Sequence, residues 1–168
     1  MAKTLYWDTS VFLCFLNPAE RDRRLICEDI LQNAQKGEVR LVTSTYTVVE
    51  TIRPKKVSIP NARLLTADEI NEIEKMFRWS WIEKVPVDQQ IGFRAVQLAR
   101  DHGLFPPDAI HAATAIRKRV DELQAWDRDF SSVEHLITVR NPTMISQQMT
   151  LIQPAPIGPA PESFKSRP

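Results

Sequence analysis

The sequence predicts an α/β domain with a mainly parallel central sheet of four to five strands. Three observations carry this. Short apolar runs alternate with longer amphipathic stretches along most of the chain, as strand–helix–strand units require. Several of the apolar runs stop at an acidic residue, where such a fold gathers side chains into one cleft. The length of 168 residues, with 43% hydrophobic and 26% charged residues, suits a single hydrophobic core.

Thr4 to Trp7 reads as the first strand and stops at Asp8. Asp8-Thr-Ser10 leads into the apolar run Val11–Leu16, a turn or two of helix that Asn17-Pro18 breaks. From Ala19 to Lys36, apolar residues at Ile26, Cys27, Ile30, Leu31 and Ala34 mark an amphipathic helix, ended by Gly37. Its outer face carries Arg21, Arg23 and Arg24; a solvated face is the first reading of that cluster and a phosphate-contacting rim the second.

Val39–Thr43 reads as the second strand, and Thr45–Ile52 as a helix bearing Glu50. The loop from Pro54 to Pro60 belongs to a second basic cluster of Arg53, Lys55, Lys56 and Arg63. Thr66-Ala-Asp-Glu69 has the spacing of a capping box and opens a helix to about Trp79. Trp81–Val87 is the third strand. Asp88–His102 is a helix with Ile91, Ala95, Leu98 and Ala99 inward, stopped by Gly103.

Leu104-Phe-Pro-Pro-Asp-Ala-Ile-His-Ala-Ala-Thr-Ala115 sets Asp108 in the first turn of an Ala-rich helix that runs to about Val120. Proline tolerates that turn because its missing N–H has no intrahelical partner there. The free N–H groups and the positive dipole end favour a negative charge at Asp108. Leu123–Trp126 is a fourth strand ending at Asp127, and Leu136–Val139 a fifth. Residues 1–150 form the expected domain. In residues 151–168, Pro154, Pro156, Pro159, Pro161 and Pro168 come with little apolar content, so this tail is expected to be extended or disordered.

Bulk properties exclude several function classes. A net charge of +1 gives no strong nonspecific pull toward nucleic acid, so any such contact must come from a local basic patch. Cys14 and Cys27 lie in apolar contexts and read as buried free thiols, not a disulfide framework or zinc site. The apolar run Val11–Leu16 is far too short to span a bilayer, and no signal-peptide layout opens the chain. A cytoplasmic protein without membrane contact is the expectation. Four glycines, none suitably spaced, rule out a G-x-G-x-x-G dinucleotide site.

What remains is a set of acids: Asp8, Glu50, Asp108 and Asp127. Crowded carboxylates rise in pKa unless a cation holds them ionised. Oxygen-only ligands suit Mg²⁺ or Mn²⁺. Such an ion ionises and orients a bound water and offsets charge on a phosphate, which points to metal-assisted phosphodiester hydrolysis. Each acid also has a purely structural reading. Asp8 and Asp108 could stabilise helix starts, Glu50 could be an exposed helix residue, and Asp127 could belong to a charged turn with Arg128 and Asp129. Ser10 could bond a carboxylate or metal water, or act as a cap. Trp126 reads as core, with base stacking second. His111, three residues after Asp108 on the same face, reads as a satisfied interior histidine without a catalytic role.

Four pieces in order resemble the PIN-domain ribonucleases, and among them the VapC-type toxins of toxin–antitoxin pairs. They are Tyr6-Trp-Asp-Thr-Ser-Val-Phe12, Val49-Glu50, Pro107-Asp-Ala-Ile-His-Ala-Ala113 and Trp126-Asp-Arg-Asp-Phe130, within roughly residues 4 to 140. The resemblance implies a three-layer α/β/α sandwich and a Mg²⁺- or Mn²⁺-dependent endoribonuclease. The family's acids fall on Asp8, Glu50, Asp108 and Asp127, with Asp8, Asp108 and Asp127 as metal ligands. Asp129 matches a more variable last acid, and Ser10 is a supporting residue. Homodimers and an antitoxin partner are implied as well. Ala125 stands where the family usually has a Thr two residues before the last acid, and the Pro-rich tail exceeds a minimal toxin. Two other readings compete: a standalone or noncatalytic PIN module that binds RNA or protein, and a phosphatase using Asp8. The phosphatase would want a second Asp where this chain has Ser10.

Overall fold

The computed structural model describes residues 2–52 and 66–145. The second basic cluster, Arg53, Lys55, Lys56 and Arg63, and the Pro-rich tail at 151–168 lie outside the described residues. The chain runs β1 (Lys3–Trp7), α1 (Thr9–Leu16), α2 (Arg21–Gln35), β2 (Val39–Ser44), α3 (Thr45–Thr51), α4 (Ala67–Phe77), β3 (Ile82–Val85), α5 (Gln89–His102), α6 (Pro106–Lys118), β4 (Glu122–Gln124) and β5 (Val139–Arg140). These strands form one sheet in the order β3-β2-β1-β4-β5, with every neighbouring pair parallel.

Side-chain alternation along β1 divides the core into two layers. Leu5 and Trp7 pack with Val11, Phe12, Cys27, Ile30, Ile73 and Met76 from α1, α2 and α4. Tyr6 points the other way, onto Ile91, Ala95, Leu98, Ala109, Ala112 and Ala113 from α5 and α6. The result is the α/β/α sandwich. Trp7 and Phe12 are both fully buried, and each contributes about 1.5–3 kcal/mol by leaving water. Their rings meet edge to face at 5.2 Å, the arrangement aromatic quadrupoles favour. Cys14 and Cys27 are buried free thiols, as their apolar contexts predict.

The helix signals behave as the sequence predicts. Thr66 and Glu69 exchange both bonds of the capping box that opens α4. Gly103 ends α5 in the left-handed conformation, φ +70°, which glycine alone adopts without a steric cost. Pro106 and Pro107 occupy the first turn of α6. Differences lie at strand ends. β3 is confined to Ile82–Val85, and β5 begins at Val139 because Leu136 and Ile137 return their N–H groups to Val133, not to the sheet.

Chain order sets the position of the cleft. From β1 the chain steps outward to β2 and β3, then crosses over α5 and α6 to the far side of β1, where β4 pairs with it. The strand order therefore reverses at β1. Open sheets bind ligands at such a reversal, beyond the carboxyl ends of the strands. The Asp8 N–H donates to Gln124 O at 3.3 Å and closes the floor of that crevice.

Candidate active site

Asp8 is the N-cap of α1, immediately past the end of β1. The Val11 N–H donates to its Oδ1 at 3.3 Å and the Ser10 hydroxyl at 2.7 Å. The capping role is thus real, and it leads a carboxylate into the interior: Asp8 is 5% exposed. Burial pushes its pKa from 3.8 up to about 7, with the Asp127 charge adding to the rise and His111 and Ser10 opposing it.

Asp108 lies in the first turn of α6, half-buried. Burial first, and then the charges of Asp129, Asp127 and Glu50, raise its pKa to about 6, against His111. Asp127 is raised in turn, first by lost hydration at its carboxyl and then by Asp129, while the Asp129 N–H donates to its Oδ1 at 3.3 Å. The four acids the sequence singles out therefore stand in one electrostatic neighbourhood, delivered by β1, α3, α6 and the segment after β4.

The structure corrects the placement of Asp127. β4 ends at Gln124, and Asp127 lies in a bend three residues later. Ala125 still donates to Arg140 O at 3.2 Å, but the next N–H, from Trp126, goes to Ser10 Oγ at 3.1 Å. That bond draws the chain off the sheet and toward α1. Ser10 thus accepts from the Trp126 N–H and donates its own hydroxyl to Asp8, tying the segment that carries Asp127 to the N-cap of α1. Ala125 is buried.

Glu50 is not a solvated helix residue. The Thr9 hydroxyl donates to its Oε2, and His111 Nε2 lies 2.9 Å from the same oxygen. His111 is itself buried, with Nδ1 2.9 Å from the Tyr6 hydroxyl. The structure satisfies the reading of His111 as an interior histidine and adds a contact with a site acid. Tyr46, on α3, sets its ring edge-on to His111 at 5.8 Å. Its phenol pKa is raised by burial and by the charges of Glu50 and Asp108, so it borders the acids. Thr9, Tyr46 and the His111 contact went unread in the sequence. The D-T-S run names Thr9, but no local pattern shows that it meets Glu50 across 41 residues.

Trp126 packs at the edge of the core, and the Arg23 guanidinium lies over its ring, 4.9 Å from the centroid. Arg23 also reaches Glu20 at 3.5 Å. This face of α2 is therefore not simply solvated: it places a cation on an aromatic ring one residue from Asp127.

Whether the acids suit a metal ion is a matter of donor chemistry. They supply hard carboxylate oxygens, and a divalent cation would offset both the lost hydration that chiefly lifts Asp8, Asp108 and Asp127 and the smaller repulsion among them. The donors fit Mg²⁺ or Mn²⁺. Among the described residues, no three His, Cys, Asp or Glu side chains are already drawn into a coordination cluster.

The comparisons with known proteins decide the family. The model of the PIN domain matches residues 5–136, most of the chain. This chain belongs to the PIN domain family. Solved structures agree in fold. A toxin–antitoxin complex from Klebsiella pneumoniae aligns over 84% of this chain and 99% of that one, at 21% identity and a TM-score of 0.55. The sarcin–ricin-loop-cleaving toxin VapC20 of Mycobacterium tuberculosis aligns over 77% and 94%, at 17% identity and a TM-score of 0.58. VapBC2 from Rickettsia felis, bound to a promoter DNA fragment, aligns over 82% and 98%, at 14% identity and a TM-score of 0.58. No curated protein matches the sequence. PIN domain proteins of the VapC type are generally nucleases, and PIN nucleases generally use divalent metal ions.

Proposed function

We propose that this PIN domain is a Mg²⁺- or Mn²⁺-dependent endoribonuclease and the toxin of a toxin–antitoxin pair. One observation supports the reading: acids from four separate segments of a PIN fold share one neighbourhood at the sheet's reversal point, where burial first and neighbouring carboxylates second raise Asp8, Asp108 and Asp127. Asp8, Asp108 and Asp127 would hold the ion, with Asp129 and Ser10 in support. When bound, the ion lowers the pKa of a coordinated water and offsets charge on the phosphate.

The chain's own residues supply the rest. Glu50, held by Thr9 and His111, presents a carboxylate that can take a proton from the attacking water. Arg23, braced on Trp126, offers a guanidinium to the RNA backbone, and Tyr46 offers a ring on which an unpaired base can stack. A cognate antitoxin belongs to the same reading, supported by the toxin–antitoxin complexes among its structural neighbours, and homodimer assembly is proposed with it.

The test is RNA cleavage in Mn²⁺ and in EDTA. The expected result is cutting in Mn²⁺ alone, abolished by Asp108→Asn with an unchanged circular dichroism spectrum. Wild-type protein that leaves structured and single-stranded RNAs intact defeats the proposal. RNA bound tightly but uncut would instead give the noncatalytic module.

A further inference from the structure

We propose that His111 is a positioning residue that fixes the carboxylate of Glu50, and that Tyr6 fixes His111. The inference rests on the ribonuclease reading and deepens it. Four elements contribute one side chain each: Tyr6 from β1, Thr9 from α1, Glu50 from α3 and His111 from α6. His111 is 1% exposed, with its ring wedged edge-on between Tyr6 at 5.9 Å and Tyr46 at 5.8 Å. Both ring nitrogens are engaged: Nδ1 with the Tyr6 hydroxyl at 2.9 Å, and Nε2 with Glu50 Oε2 at 2.9 Å and Thr9 Oγ1 at 3.2 Å.

These contacts decide which nitrogen carries a proton. A neutral ring protonated at Nδ1 would set the Nε2 lone pair against the Glu50 carboxylate, acceptor against acceptor. The Nε2–H tautomer avoids this, because Tyr6 then donates to Nδ1 while Nε2 donates to Glu50. Thr9 donates to the same Glu50 oxygen.

The consequence is geometric. Glu50 is a long side chain on a helix of 7 residues. Without its donors it would spread over several rotamers, and a catalytic carboxylate displaced by about 1 Å loses much of its effect. Asp108 and the residue that places Glu50 share α6, three positions apart. One helix therefore sets the spacing of two of the site's acids.

The test uses the full chain cleaving RNA in Mn²⁺. His111→Leu is expected to lower kcat by roughly 10–100-fold, the usual cost of losing an orienting partner, with KM within about twofold. In the Glu50→Gln background the same substitution should cost less than about threefold more, because there is no carboxylate left to place. His111→Gln should recover most of kcat and His111→Asn should not, since the Gln amide nitrogen occupies the place of Nε2 and the Asn nitrogen that of Nδ1. If His111→Leu fails to fold, the Gln and Asn pair carries the test. Equal activities of those two, or an undiminished cost in the Glu50→Gln background, overturn the inference. Wild-type protein inactive on RNA instead defeats the ribonuclease reading itself, before any His111 variant is made.

Discussion

Asp8→Asn should make the metal-free protein more stable while removing its activity. The side chain is 5% exposed, and its folded pKa is about 7 against an ordinary 3.8. Between those values the folded chain keeps a proton that the unfolded chain has given up. The stability Asp8 lends is therefore complete below pH 3.8 and is lost as pH rises through 7. At about 1.4 kcal/mol per pH unit, the loss at pH 8 is about 4 kcal/mol. Asn carries no charge, keeps an oxygen for the Ser10 hydroxyl and the Val11 N–H, and caps a helix as well as Asp does. In EDTA the variant should exceed the parent by about 0.5 kcal/mol at pH 4, about 3 kcal/mol at pH 6 and about 4 kcal/mol at pH 8. Urea unfolding at the three pH values measures this. Mn²⁺ at pH 8 should narrow the gap, because an ion bound only by the folded parent stabilises it by mass action. A gap that fails to widen with pH, or an Asn variant weaker than the parent at pH 8, refutes the claim that a buried charge is held there at a cost.

Three further predictions concern binding and stability. Arg23→Gln should raise KM for RNA with little change in kcat, and lower the slope of log affinity against log salt by about 0.7, the value of one phosphate contact on a single strand; an unchanged slope removes Arg23 from the RNA path. Gly103→Ala should cost about 1 kcal/mol from its φ of +70° alone, since the new Cβ would meet nothing within 4 Å. Gly92→Ala, inside α5 and equally uncrowded, should instead add about 0.5–1 kcal/mol. Thermal or urea unfolding of the pair separates backbone strain from packing.

Local chemistry made much of the fold legible. The apolar spacing of α2, the Thr66–Glu69 box, the Gly103 stop and the double proline before Asp108 are signals complete within a few residues. Strand ends were less legible because an apolar residue does not reveal where its N–H will go. Leu136 and Ile137 look like strand, yet they close a turn on Val133. Asp8 and Asp108 could be located from what ends a strand or opens a helix. Glu50 could not be oriented that way: its partners Thr9 and His111 lie 41 and 61 residues away. The departure of Asp127 from the sheet was hidden for the same reason, since it depends on a bond from Trp126 to Ser10 across 116 residues.

The central claim is that these acids trap one hard divalent ion. A crystal of the protein soaked in Mn²⁺, with anomalous scattering used to find the metal, tests it most directly. The account predicts a peak bonded to Asp8 and Asp108 at about 2.0–2.6 Å, the range of metal–carboxylate bonds, and its loss in Asp108→Asn. A saturating soak that leaves the β1–β4 crevice without a peak contradicts it.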